Sequence, residues 1–247
     1  MNSYTFFAKV YDIFMDDIPY SDWVDRICEY LEEAGYTACK ALELGCGTGR
    51  FGSLMSTEGY EVTGIDLSKE MIKQAIKRGR HFRLNTSYQV MDMRKLTFKN
   101  EFPVVVSVCD SMNYLADTDE LYDTLVGVRE ALSEGGIFIF DMKTEAFFKS
   151  LGEEIYSDEK DIGEYYWENY YDEETRNNDY YISFYIKKGR LYRKFVEEHT
   201  QHAFTPEEVR DVAKRAGLTI IEERNSEFEA SADYSGERIY FIMKKEG

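Results

Sequence analysis

Residues Ala41-Leu-Glu-Leu-Gly-Cys-Gly-Thr-Gly49, followed by Ile65-Asp-Leu-Ser68, decide the reading of this chain. The first stretch predicts a β-strand that runs into a glycine-rich turn and then a helix. The second predicts a strand ending in an acid. Glycines at 45, 47 and 49 let the backbone turn sharply and let a ligand approach where a Cβ would obstruct it. Asp66 follows the turn by about 20 positions, the separation at which an acid closing the second strand accepts hydrogen bonds from two ribose hydroxyls. Together they predict a grip on a nucleoside-bearing cofactor.

Gly47-Thr-Gly49-Arg-Phe-Gly52 formally matches the dinucleotide fingerprint G-x-G-x-x-G. Its register argues against a dinucleotide, because there the first glycine follows the strand directly. Here that residue is Gly45, and counting from it puts Arg50 where the third glycine belongs. The pattern that fits is Glu43-x-Gly45-x-Gly47-x-Gly49, with an acid two positions before the first glycine. A carboxylate there can face the positive end of a zwitterionic ligand, whereas beside a pyrophosphate it would repel.

On these residues the chain resembles the class I S-adenosylmethionine-dependent methyltransferases, whose first motif is E/D-x-G-x-G-x-G. Ile65-Asp-Leu-Ser-Lys-Glu-Met71 is similar to the family's second motif, and Val90-Met-Asp-Met93 to the segment that holds the adenine. Val104-Val-Val-Ser-Val-Cys-Asp110 resembles the fourth strand leading to the reaction centre. The likeness runs in order through residues 38 to 142 and resumes in a C-terminal piece. It implies S-adenosylmethionine as cofactor, with Glu43 and the loop residues Gly45, Cys46, Gly47 and Gly49 toward its methionine part and Asp66 on its ribose. Leu67 and Met71 would flank the adenine, Asp92 would accept from its exocyclic amine, and the Met93 backbone would lie beside it. Tyr11 matches a tyrosine that caps the cofactor, where an aromatic face beside a sulfonium is favourable. Asp110 would orient the acceptor or the cofactor's amino group. Cys109-Asp-Ser-Met-Asn-Tyr114 departs from the Asn/Asp-Pro-Pro-Tyr motif of amide and adenine N-methyltransferases, which argues against DNA adenine methylation.

Methyl transfer from a sulfonium needs alignment and exclusion of water more than a nucleophilic residue. The sequence offers no Ser/His/Asp set. Of its three histidines, His199 is the candidate general base, since an imidazole can take a proton from an ammonium or hydroxyl acceptor near neutral pH. No metal site is expected: cysteines 28, 39, 46 and 109 show neither C-x-x-C nor zinc-ligand spacing.

The remaining composition narrows the class. At 247 residues, 43% of them hydrophobic, the chain can bury one core and carry an appendage. No apolar run approaches the ~20 residues of a membrane span, and the N-terminus lacks a signal-peptide pattern. Reduced thiols in a cytoplasmic protein are the expectation. A net charge of −17 makes long nucleic acid a poor partner. The cluster Lys77-Arg-Gly-Arg-His-Phe-Arg83 reads as a solvated helix end. Nothing in the sequence sets the oligomeric state.

Alternating β and α units predict a doubly wound, mostly parallel, seven-stranded α/β sheet. An aromatic cap over 1–35 precedes it, with one amphipathic helix at about 20–34. After Asp141 the rhythm changes: residues 164–199 hold eight tyrosines and alternate with period two, which predicts a three-stranded antiparallel meander. Thr205-Pro-Glu-Glu208 then predicts a capped helix. The expected division is an S-adenosylmethionine-binding domain of residues 1–142 and 203–247, with residues 143–202 inserted as a substrate lid. Insertions of this kind occur in small-molecule N-methyltransferases of the family, including those acting on amino sugars. A small-molecule acceptor is therefore expected, with RNA base methylation or a non-catalytic cofactor-binding module as alternatives.

Overall fold

Two helices, not one, open the computed structural model, which describes residues 4–152 and 154–245. Met1 to Ser3 of the expected cap and the last two residues lie outside the described residues. After α1 (Tyr4–Phe14) and α2 (Tyr20–Glu33) come β1 (Lys40–Leu44), α3 (Arg50–Thr57), β2 (Glu61–Asp66), α4 (Lys69–Phe82) and β3 (Thr86–Val90). The chain continues through β4 (Phe102–Ser107), α5 (Thr118–Ala131), β5 (Leu132–Lys143), α6 (Glu145–Leu151) and four strands: β6 (Tyr156–Lys160), β7 (Gly163–Asp172), β8 (Asn177–Lys188) and β9 (Leu191–His202). It ends with α7 (Pro206–Ala216), β10 (Leu218–Arg224) and β11 (Arg238–Lys245).

The main sheet has seven strands in the order β10-β11-β5-β4-β1-β2-β3. All pairings are parallel except those of β11, which runs antiparallel between β10 and β5. Val104, Val105 and Val106 have no exposed surface, as a parallel strand covered on both faces requires. Between β3 and β4 the chain crosses β1, so the order reverses at the β1–β4 pair. The crevice outside the carboxyl ends of these two strands is where open α/β sheets bind ligands, and it holds the glycine loop and Asp110.

Local signals behave as the sequence reading expects. Trp23, Val24, Ile27 and Leu31 bury one stripe of α2. The Ser68 hydroxyl accepts from the Met71 N–H at 3.3 Å to cap α4, and Thr205 with Glu208 forms a reciprocal capping box on α7.

The second sheet corrects the expected meander from three strands to four, ordered β6-β7-β8-β9. Its tyrosines divide by the strand period. Trp167 pairs with Ile182, and Tyr180 with His199; this inner face turns toward the main domain. Tyr166, Tyr170 and Tyr181 are exposed on the other face. Helix α1 lies at the junction, where Ala8, Val10 and Phe14 pack with Met71 of α4 and with Ile182 and Phe184 of β8. The aromatic opening is thus the wedge that seats the inserted sheet.

Candidate functional site

Gly45, Gly47 and Gly49 all adopt the left-handed backbone region, with φ of 65°, 51° and 73°, which glycine reaches without strain. Their surroundings differ. A Cβ on Gly47 would meet nothing within 4 Å, because it faces the cavity. On Gly49 a Cβ would come 2.8 Å from the Tyr88 hydroxyl and 2.9 Å from Ala75. Gly49 is not among the residues that line the cavity described below. It lets α3 start close to α4 and β3.

Asp66 ties the crevice together. Its Oδ2 accepts from the Gly47 N–H at 2.9 Å and its Oδ1 from the Ser68 N–H at 2.7 Å. Burial raises its pKa, and those two N–H groups hold the rise back.

Glu43 lies beneath the loop on the cavity wall, and only 2% of it is exposed. Gly52 makes the room, since a Cβ there would come within 2.3 Å of Oε2, and that oxygen has no hydrogen-bond partner. Burial, then the charge of Asp66, pushes its carboxyl up to about 8, so the free protein holds it protonated at neutral pH. The unfolded chain loses this proton near pH 4.3 and the folded chain retains it. Stability should therefore fall as pH rises from about 4.5 to about 8. Glu43→Gln is expected to change the melting temperature little at pH 5 and to raise it at pH 9 by roughly 10 °C. A scanning-calorimetry series across that range checks this.

A cavity of about 1310 Å³ runs from this loop to the second sheet. It exceeds the ~300–1,000 Å³ of a one-ligand pocket, so a cofactor and an acceptor fit together. Leu67, 69% exposed, and the buried Met71 stand on its wall beside Asp66, as do Cys46, Asp92 and Met93. Burial pushes the Cys46 thiol well above its ordinary range. The Asp92 carboxylate is engaged: it caps a 3₁₀ turn through the Arg94 N–H at 3.0 Å and grips the Arg94 guanidinium at 2.9 and 2.7 Å. Arg94 also pairs with Glu120.

At the far end lies a buried charge cluster that the sequence reading did not assemble. Asp110 accepts from Gln201 Nε2 at 2.6 Å and faces Lys143 Nζ at 3.7 Å and Arg238 at 3.8 Å. Its backbone N–H donates to Asp141 Oδ1 at 3.0 Å, and Asp141 pairs with Arg238. Burial pulls the Asp110 carboxyl upward, but Lys143, Arg238 and Gln201 together outweigh it and keep it ionised. Burial lifts Asp141 to about 6. For Lys143, burial works against the ammonium, and Asp110, Tyr180 and Cys109 together more than offset it. Strand pairing brings these groups together, because Arg238 of β11 sits opposite Lys143 of β5. The available signal was two charges, Asp141 and Lys143, one strand period apart at the end of an apolar strand.

Tyr11 and Tyr20 also line the cavity, their hydroxyls 3.3 Å apart, and Tyr20 reaches Cys109 Sγ at 3.9 Å. His199 lies on the wall with Nδ1 3.3 Å from the Tyr114 hydroxyl. Burial lowers its pKa, so its imidazole is neutral at pH 7. His202 is turned away, its Nδ1 2.9 Å from Asn177 Oδ1. No His/Cys/Asp/Glu group able to hold a metal ion occurs among the described residues.

Fold and crevice define a transferase of the nucleoside-cofactor type, and comparison with known proteins gives the family. A family model described as a methyltransferase domain matches residues 41–136. YqeM of Bacillus subtilis (strain 168), a protein provisionally named a methyltransferase, is 30% identical over 98% of this chain and 97% of its own. The crystal structure of an S-adenosylmethionine-dependent methyltransferase from Clostridium acetobutylicum ATCC 824 superposes over 100% of both chains with a TM-score of 0.87 and 30% identity. The dTDP-3-amino-3,4,6-trideoxy-alpha-D-glucopyranose N,N-dimethyltransferase of Streptomyces venezuelae is 29% identical over 54% of this chain and 56% of its own. This chain belongs to the class I S-adenosylmethionine-dependent methyltransferases.

Proposed function

We propose that the protein transfers the methyl group of S-adenosylmethionine to a small polar molecule enclosed beneath the inserted sheet. One observation carries this reading: a single cavity joins the Gly47–Asp66 crevice to Lys143, Tyr180 and Gln201. When bound, the cofactor supplies an activated methyl carbon on its sulfonium. Asp66 would hold the ribose, with Leu67 and Met71 on either side of the adenine and Asp92 and Met93 at its edge. Gly45, Cys46 and Gly47 would receive the methionine part over Glu43, and Tyr11 would close over it. Residues 143–202 would act as the lid on a domain formed by 1–142 and 203–247. The sugar amine named for the Streptomyces venezuelae relative supports a small-molecule acceptor. Four free cysteines suit a reducing, cytoplasmic setting.

Incubating the purified protein with methyl-labelled S-adenosylmethionine and a metabolite extract tests this. Label is expected in small molecules. Label in RNA, or cofactor binding with no transfer, would overturn it.

His199, neutral and on the cavity wall, is proposed as the proton acceptor. His199→Gln should lower kcat by roughly 100-fold with little change in cofactor affinity. An unchanged kcat with the labelled acceptor would remove it from this role.

A further inference from the structure

Beside Asp110 the cavity presents polar atoms that the protein itself leaves unsatisfied. Lys143 is buried at the end of β5, its side chain 14% exposed. Its ion pair with Asp110 Oδ2 spans 3.7 Å, longer than an ordinary hydrogen bond, while Gln201 Nε2 donates to the same oxygen at 2.6 Å. The ammonium is held between the rings of Phe147, at 5.1 Å, and Tyr180, at 5.7 Å. Asp110 and the Tyr180 hydroxyl both face this ammonium, which leaves one of its three N–H donors for a ligand. On the facing strands, Gln201 Oε1 is buried with no hydrogen-bond partner, and the buried Tyr180 hydroxyl faces the Lys143 ammonium and keeps its own O–H to donate. Gln201 is 1% exposed and Tyr180 3%, and both stand on the cavity wall with Lys143.

Unsatisfied polar atoms of this burial cost free energy in an empty fold, and native proteins retain them where a ligand or water completes them. Here the missing partner must accept a hydrogen bond at Lys143 and donate one at Gln201 Oε1. A hydroxyl does both with one oxygen. A second hydroxyl on the neighbouring carbon would meet Tyr180, whose own hydroxyl can donate or accept. The adjoining wall is aromatic and apolar: Trp167, set edge-on to Tyr180 at 5.2 Å, with Tyr165 and Ile182 beyond it. Such a surface suits the C–H face of a saturated ring.

The geometry points to Lys143, Tyr180 and Gln201 as a clamp that determines acceptor specificity by binding a vicinal diol on a saturated ring. The clamp positions the acceptor next to Asp110 and takes no part in bond making. It rests on the methyl-transfer reading only in calling its occupant the acceptor; the binding chemistry stands on these residues alone.

Saturation-transfer NMR on protein loaded with S-adenosylhomocysteine tests it, with myo-inositol as the probe and cyclohexanol as the single-hydroxyl comparison. The inositol signal is expected to exceed that of cyclohexanol. It should fall at least five-fold in Tyr180→Phe, which keeps the ring, and in Lys143→Met, while calorimetric affinity for S-adenosylhomocysteine stays within two-fold. Tyr180→Phe keeps the test decisive should Lys143→Met fail to fold. No inositol signal on the wild-type protein, or an undiminished one on a folded variant, overturns the clamp. Methyl label from the extract experiment is a separate readout: inositol binding without transfer would sink the enzyme reading and leave the clamp standing.

Discussion

Asp66→Ala is expected to weaken S-adenosylhomocysteine binding by about 10- to 100-fold, measured by titration calorimetry. Hydrogen bonds to a charged acceptor contribute about 1.5–3 kcal/mol each, and each 1.4 kcal/mol is a factor of ten in Kd. The substitution acts twice. It removes the acid proposed to take the ribose hydroxyls, and it frees the Gly47 and Ser68 N–H groups that Asp66 now holds at 2.9 and 2.7 Å. Asp66→Asn retains one carbonyl acceptor and should fall between the two proteins. A Kd for Asp66→Ala equal to that of the wild type would place the ribose elsewhere.

Arg238→Met is expected to destabilise the fold by about 3–5 kcal/mol, the usual cost of removing one partner from a buried ion pair. Asp141 has no exposed surface and Arg238 only 6%, so neither can turn to water once the other is lost. The guanidinium also lies over the Trp23 ring at 4.6 Å and sits 3.8 Å from Asp110. Its loss would leave two carboxylates at the end of β4 and β5 with Lys143 as the remaining nearby cation. Pairing the change with Asp141→Asn should recover part of the loss, because the second substitution removes the stranded charge. Denaturant unfolding of the single and double variants checks this; a single variant within 1 kcal/mol of the wild type contradicts it.

The central sheet was legible because its signals are local. Four motifs lie in chain order from Glu43 to Asp110, and β4 and β5 carry apolar runs bounded by turn residues. The missed pieces fail that condition. Strand β6, Tyr156-Ser-Asp-Glu-Lys160, is a short edge with no apolar alternation, so only its pairing with β7 defines it. Helix α1 carries no acid in its first turn and no base in its last, and its burial comes from α4 and β8. The site divides along the same line. Asp66, Leu67, Met71 and Gly47 fall on the cavity wall because the motif is short and its geometry local. Gly49 reads identically to Gly47 in sequence, yet a Cβ there would meet Tyr88 and Ala75 and one at Gly47 would meet nothing. Lys143, Arg238 and Gln201 reach Asp110 through the β4–β5 pair, the antiparallel β5–β11 pair and the inserted sheet in turn, contacts that no spacing along the chain encodes.

A crystal structure of the protein with S-adenosylhomocysteine tests the central claim most directly. The ribose hydroxyls are expected on Asp66, the adenine between Leu67 and Met71, and the sulfur directed into the cavity toward Asp110. A nucleoside bound away from the Gly45–Gly47 loop, with Asp66 still holding only its two backbone N–H groups, would contradict it.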